Sequence, residues 1–175
     1  LESYDPVCSQ DYKDKGFNVK IRLKSEDNFI PAIAIGLNDL AGTGLYSSEY
    51  IVGSYGYKRM DFHFGLGWGT LNDSVNNISN PLTFMSDSFK TRPTNIEGRG
   101  GKFQPGRYFS SEEASPFFGL TYSLKNNIIL KLERDTTSST FINHESASSN
   151  FSFGMDYSIN DNFVIGFSSE RGLYN

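Results

Sequence analysis

Residues 31–69 read PAIAIGLNDLAGTGLYSSEYIVGSYGYKRMDFHFGLGWG, and the alternation inside this stretch decides the fold class. Ile33, Ile35 and Leu37 alternate with Ala32, Ala34 and Gly36; Met60, Phe62, Phe64, Leu66 and Trp68 alternate with Asp61, His63, Gly65 and Gly67. A period of two sustained along a strand gives one apolar face and one small or polar face. A soluble sandwich would bury the apolar face against a second sheet. A membrane barrel would turn it to lipid and line its lumen with the polar face.

Outward from this stretch the same period recurs. Residues 17–24 alternate Phe17, Val19, Ile21 and Leu23 with Asn18, Lys20, Arg22 and Lys24. Further strands are predicted over 29–38, 44–55, 60–69, 115–124, 128–134, 149–159 and 163–171, about eight in all. The connections after odd-numbered strands are short (25–28, 56–59, 125–127, 160–162). Those after even-numbered strands are 39–43, 70–114 and 135–148, and the last two are long. In an antiparallel meander, alternate connections share one end. Short turns at one end and long loops at the other are the build of outer-membrane barrels, whose outward loops are long. The 70–114 stretch carries no sustained period and is expected to be a long outer loop. The expected fold is therefore all-β: an antiparallel up-and-down transmembrane β-barrel occupying 1–175 as one region. With the short turns periplasmic, the first strand runs inward and the eighth outward, so the chain reads as a portion of a larger barrel. Leu1 to Gly16 would descend from an outer loop, and Tyr174-Asn175 would enter one.

Composition agrees with this class. The 175 residues include 15 Phe and 10 Tyr against a single Trp, a bias toward sheet rather than helix. Charged residues make up 21%, the net charge is −4 and no basic block exists, so nucleic acid is not an expected partner. No run of 18 apolar residues supplies a membrane helix. The chain starts at Leu1 without a signal-peptide pattern, so it reads as processed or as a piece of something longer. Cys8 is the only cysteine and has no lipobox before it, which makes it a free thiol rather than an anchor.

The wording of PAIAIGLNDLAGTGLYSSEYIVGS, MDFHFGLGWG, GGKFQPGRYFS and SPFFGLTYSLKNNIILKLERD resembles the YjbH-type exopolysaccharide-biosynthesis family. The resemblance covers about residues 17–135, and its most specific part runs from Pro31 to Gly69. Residues 136–175 fit only as generic barrel strands. It implies an outer-membrane β-barrel of a Gram-negative bacterium, taking part in exopolysaccharide production or export, in a chain much longer than this one. It implies no catalytic residue. Outer-membrane lipid is the expected partner, with exopolysaccharide and periplasmic export proteins beside it, and no cofactor is expected.

The polar strand face is the best candidate surface. Lys20, Arg22, Lys24, Asp61, His63, Lys131, Glu133 and Asp156 lie opposite apolar neighbours, and Glu49 is expected to join them. An Arg or Lys at mid-depth facing lipid costs about 2–4 kcal/mol, so these groups are expected to face the lumen. There they would pair with one another or line a path for a polar polymer. Trp68, Tyr108 and Phe109 are candidate sugar-stacking rings, with membrane-interface girdles as the competing explanation. His63 and His144 are the only histidines. Asp61 is two residues from His63 on one strand face, yet nucleophilic catalysis needs a Ser and an orienting acid in hydrogen-bond reach as well. No spacing fits a metal site. The Asn72-Asp73-Ser74 run lacks the ligands of a calcium loop, and 98–101 (GRGG) lacks the Lys and helix of a phosphate loop. Two alternatives stand beside the barrel. One is a barrel-embedded enzyme modifying lipid or polysaccharide, which would depend on His63. The other is a soluble β-sandwich carbohydrate-binding module, which would bury Ile33, Phe62, Phe64 and Phe153.

Overall fold

A computed structural model describes residues 16–42, 44, 46–72, 76–93, 103–125, 127–137 and 149–174. Cys8, His144 and the 98–101 glycine run lie outside them. The strands are β1 Phe17–Lys24, β2 Ala32–Leu40, β3 Ser48–Tyr57, β4 Met60–Gly69, β5 Ile78–Ser79, β6 Glu113–Lys125, β7 Ile128–Arg134, β8 Phe151–Asn160, β9 Phe163–Glu170 and β10 Leu173–Tyr174. They form a single antiparallel sheet in the order β1-β2-β3-β4-β6-β7-β8-β9-β10, with β5 pairing β6 off that path. The up-and-down order expected from the sequence is present. The sheet is open, with β1 at one edge and β10 at the other, so these residues do not close a barrel by themselves.

Several boundaries differ from the sequence reading, four of them with a clear physical reason. The turn before β2 runs to Pro31, because Asp27 and Ile30 exchange backbone hydrogen bonds at 3.0 and 3.2 Å. β3 begins at Ser48 rather than 44, because Asp39 (φ 56°) and Ala41 (φ 58°) turn the chain early and the Asp39 carboxylate accepts the Gly44 N–H at 2.8 Å. The 70–114 stretch is not structureless. It holds β5 and three short 3-10 turns, Pro81–Phe84, Asp87–Phe89 and Pro105–Arg107. At the far end, Arg171 (φ 51°) and Gly172 (φ 93°) make a tight turn that folds β10 back on β9, instead of leading into an outer loop.

The short turns at one end are laced together. Tyr55 Oη donates to Asn28 O, and the Gly56 N–H to the Glu26 carboxylate. The Arg59 guanidinium donates to Leu124 O, and Ser158 N–H to Asn127 O. Register shifts fall between Arg22 and Lys24, Ser123 and Lys125, and Ser158 and Asn160, each close to one of these turns.

Cross-strand partners in an antiparallel sheet share a face. One face carries the rows Phe64–Phe118–Arg134–Phe151, Phe62–Leu120–Leu132–Phe153 and Met60–Tyr122–Leu130–Met155–Phe167. The other carries Ser54–His63–Gly119–Glu133–Ser152 and Asp61–Thr121–Lys131–Gly154–Ser168. The apolar face is open: Phe64 is 54% exposed, Phe153 58% and Phe167 61%. Among the described residues the fully buried large side chains are Trp68 and a set of polar groups, so there is no second layer packed on this sheet. Among the described residues no second sheet of a sandwich covers Phe62, Phe64 and Phe153.

The glycines in these strands have a packing reason. A Cβ on Gly36 would lie 2.1 Å from the Tyr50 ring, on Gly53 2.7 Å from the Phe64 ring, and on Gly65 2.4 Å from the Phe117 ring. In each case the ring belongs to the residue directly opposite on the next strand of the sheet. The ring lies down over the missing side chain. Cross-strand packing of this kind stabilises a sheet that lacks a second layer.

Candidate functional site

Seven of the nine predicted polar residues share one face. Lys20 is opposite Gly36 and Arg22 opposite Ala34, in rows that continue through Tyr50 and Val52. Asp61, His63, Lys131 and Glu133 occupy the two polar rows above, and Asp156 follows Gly154 in the same alternation. Lys131 Nζ pairs with Asp156 Oδ2 at 2.7 Å, both partly exposed, so solvent screens the pair and it contributes little to stability.

Lys24 and Glu49 depart from the expected placement. The register shift after Arg22 sets Lys24 opposite Ile33, a member of the apolar face. Glu49 lies opposite Leu37 and Trp68, so it too belongs to the apolar face. It is tolerated there because the loop after β4 folds over that end of the sheet. Arg92 Nη1 donates to Glu49 Oε2 at 2.8 Å and Nη2 to Oε1 at 2.9 Å, a bidentate fork. The Phe109 N–H adds a third bond to Oε2 at 3.0 Å, with Phe109 held at φ 59°. Bulky residues adopt that left-handed region only when their surroundings enforce it. Arg92 also donates to Ser47 Oγ at 2.6 Å and to Arg107 O at 2.9 Å. The Glu49 side chain is 0% exposed and that of Arg92 18%.

A second node organises the same loop. Asn80, buried, accepts the Leu82 N–H at 3.0 Å and donates to Phe109 O at 3.0 Å and Ser111 O at 2.8 Å. Trp68 is 0% exposed and packs edge-on against Phe109, with ring centroids 5.2 Å apart. Its ring offers no face to a sugar; it anchors the loop. Tyr108 is half-buried and stacks at a tilt on Phe103. Burial raises its phenol above the usual value, opposed in part by a backbone hydrogen bond at Ala41. Of the three predicted rings, Trp68 and Phe109 therefore serve the loop's attachment. Nothing in the local sequence marks Arg92 or Asn80, since their partners lie far along the chain.

The polar face carries a cleft of about 510 Å³. Its walls include Asn38, Tyr50, Ser54, His63, Phe117 and Glu133. His63 Nδ1 is 2.8 Å from Ser54 Oγ, and His63 and Glu133 flank Gly119 from either side. Asn38 donates to Ser48 Oγ at 2.9 Å, which fixes its amide. At the loop end the cleft is closed by Leu71 and the buried Thr136, whose hydroxyl donates to Leu71 O at 2.8 Å. Sequence reading missed Tyr50 because it set Glu49 on the polar face, which turns Tyr50 to the apolar one, and missed Phe117 because the adjacent Phe118 breaks the alternation there. Among the described residues no group of three His, Cys, Asp or Glu side chains stands close enough to hold a metal ion.

Fold and faces together define the class: an all-β, up-and-down antiparallel sheet with one exposed apolar face and one polar face bearing a cleft. The family model described as exopolysaccharide biosynthesis protein YbjH (YjbH) matches residues 2–174, and the chain belongs to that family. The match extends beyond 17–135 to include the last strands. The chain is similar to a protein of Escherichia coli (strain K12) named "Uncharacterized lipoprotein YjbH", with 36% identity over 166 residues. That alignment covers 93% of this chain and 23% of the relative, so the chain spans under a quarter of that relative's length. No solved structure matches the chain.

Proposed function

We propose that this sheet is a section of the wall of an outer-membrane β-barrel in a Gram-negative bacterium, serving exopolysaccharide production or export without catalysing a reaction. The observation that carries this reading is the open apolar face, which runs from Ile21 through Phe64 and Phe153 to Phe167. Soluble monomers rarely leave so continuous an apolar surface in water. Lipid is the partner that suits it, and the rows of Lys, Asp, His and Glu on the other face suit a water-filled lumen. The two longest connections, 70–112 and 135–150, lie at one end with 41–47 and the turn 171–172, against 25–31, 58–59, 126–127 and 161–162 at the other, which fits the loop asymmetry of such barrels.

The role is passive because the Ser54–His63 contact has no carboxylate bonded to the other ring nitrogen among the described residues, so no oriented nucleophile, base and acid is assembled there. The family's description supports the link to exopolysaccharide, and the relative's origin and name support a cell-envelope setting. Periplasmic export proteins are the partners expected at the short-turn end.

The test is to delete the gene and measure polymer outside the cell and in the periplasm. Polymer trapped in the periplasm is the expected result. Polymer unchanged in amount and place overturns the export reading, and polymer exported normally but chemically altered replaces it with an enzyme.

A further inference from the structure

We infer that the polar-face cleft is a binding site for a neutral oligosaccharide segment, with Tyr50 and Phe117 as the stacking rings. The inference rests on the exopolysaccharide reading above and assigns it a place and a sugar class.

Three observations converge. The first is the pair of rings. Tyr50 and Phe117 meet edge to face, with centroids 6.4 Å apart, on the face whose other residues are mostly small, polar or charged. Each lies down over a glycine, Gly36 or Gly65, so the ring is held against the sheet and both are only half-buried. Two rings held at nearly a right angle on a hydrophilic wall suit the C–H faces of pyranose rings, which are apolar on a molecule otherwise studded with hydroxyls.

The second is the polar complement. Sugar hydroxyls need donors and acceptors in alternation, and the cleft offers a carboxamide (Asn38), a hydroxyl (Ser54), an imidazole (His63) and a carboxylate (Glu133) around those rings. The Ser54–His63 contact holds one side of the imidazole in a fixed orientation. A volume near 510 Å³ lies within the range of about 300–1,000 Å³ typical of small-molecule sites, with apolar walls and a few placed polar groups.

The third is charge. Among the lining residues Lys20 is matched by Glu133 and Asp135, while Arg134 belongs by register to the apolar face. A uronic-acid polymer would bring negative charge to a wall with no excess of cations, whereas a neutral sugar meets no such cost. Trp68, which sequence alone suggested as a stacking ring, is sealed behind Phe109 on the other face.

The experiment uses the full-length protein purified in detergent, titrated with cellotetraose, chitotetraose and tetragalacturonate. The expected result is binding of at least one neutral tetrasaccharide, weaker or no binding of the uronate, and a loss of about tenfold with Phe117→Leu. Phe117→Tyr should retain binding, and its strand circular dichroism should match that of Phe117→Leu. That comparison separates lost stacking from lost fold. The double change His63→Asn with Glu133→Gln should weaken binding by a similar factor. Absence of binding to both neutral sugars, tighter binding of the uronate, or affinities untouched by these changes overturns the inference. If cells lacking the gene trap polymer while the Phe117→Leu protein restores export fully, the cleft assignment fails and the export role stands. If the deletion leaves polymer unchanged, the export role fails whatever the titration shows.

Discussion

Arg92→Ala tests how the long loop is held to the sheet. In the intact protein the Glu49 carboxylate is fully buried and accepts three charge-assisted or backbone bonds, two from Arg92 and one from the Phe109 N–H. Removing Arg92 leaves the carboxylate with the Phe109 bond alone. Stranding one member of a buried pair costs about 3–5 kcal/mol. The loop can escape that cost by lifting off, which exposes Glu49 to water. The expected outcome is local opening of 80–93 and 103–110 with the strands intact. Limited trypsin digestion of the folded full-length protein reads it at the Arg107–Tyr108 bond, which is protected because Arg107 O accepts from Arg92. Cleavage there follows the open population, so 3–4 kcal/mol corresponds to acceleration of about 100- to 1,000-fold. Glu49→Gln should cost less, about 1–3 kcal/mol, because Arg92 is partly exposed and keeps Ser47 and Arg107 as acceptors. The paired change Glu49→Met with Arg92→Leu should recover most of the protection, since a buried pair replaced by apolar groups is often nearly neutral. Unchanged cleavage in Arg92→Ala, or single effects that simply add in the double variant, would refute the clamp.

Four further outcomes follow from the structure. Gly36→Ala should destabilise by about 1–3 kcal/mol, since its Cβ would overlap the Tyr50 ring, and Tyr50→Ser should relieve it in a denaturant titration of the double variant. Gly65→Ala should cost more and resist rescue by Phe117→Ser, because its Cβ would also meet the Ile51 carbonyl oxygen, which is backbone. Phe153→Arg on the apolar face should destabilise the membrane-folded state by about 2–4 kcal/mol, while Ser168→Arg on the polar face is tolerated, read by the fraction migrating as folded on an unheated gel. The Asp87 carboxyl, bonded to Lys90, is held below its usual value and Lys90 above its own. A depressed folded pKa means the Asp87 contribution is present above the ordinary aspartate range and is lost as pH falls through the folded value. An NMR titration of Asp87 in the Lys90→Gln variant should show the carboxyl returning to its usual range, and an unmoved titration would refute the pairing.

The sequence by itself determined the eight long strands and their up-and-down order, though not the short β5 and β10. Alternation such as Met60-Phe62-Phe64 against Asp61-His63 is local, and the short turns bound it tightly. It also placed Lys20, Arg22, Asp61, His63, Lys131, Glu133 and Asp156 together, because each strand's own parity puts them opposite large apolar residues. What it left open was parity in β3. There Tyr50, Val52 and Ser54 alternate with Glu49, Ile51, Gly53 and Tyr55, so both faces carry apolar and polar residues and the period names neither as outer. Only pairing of Ile51 with Ile35 and Leu66 fixes the face, and it carries Glu49 to the apolar side and Tyr50 to the polar one. The partners that make those positions tolerable, Arg92 for Glu49 and Gly36 for Tyr50, belong to other segments of the chain. A buried carboxylate and a ring lying on a glycine are stabilised by contacts across the sheet and its loop, and such contacts exist only once the register is set.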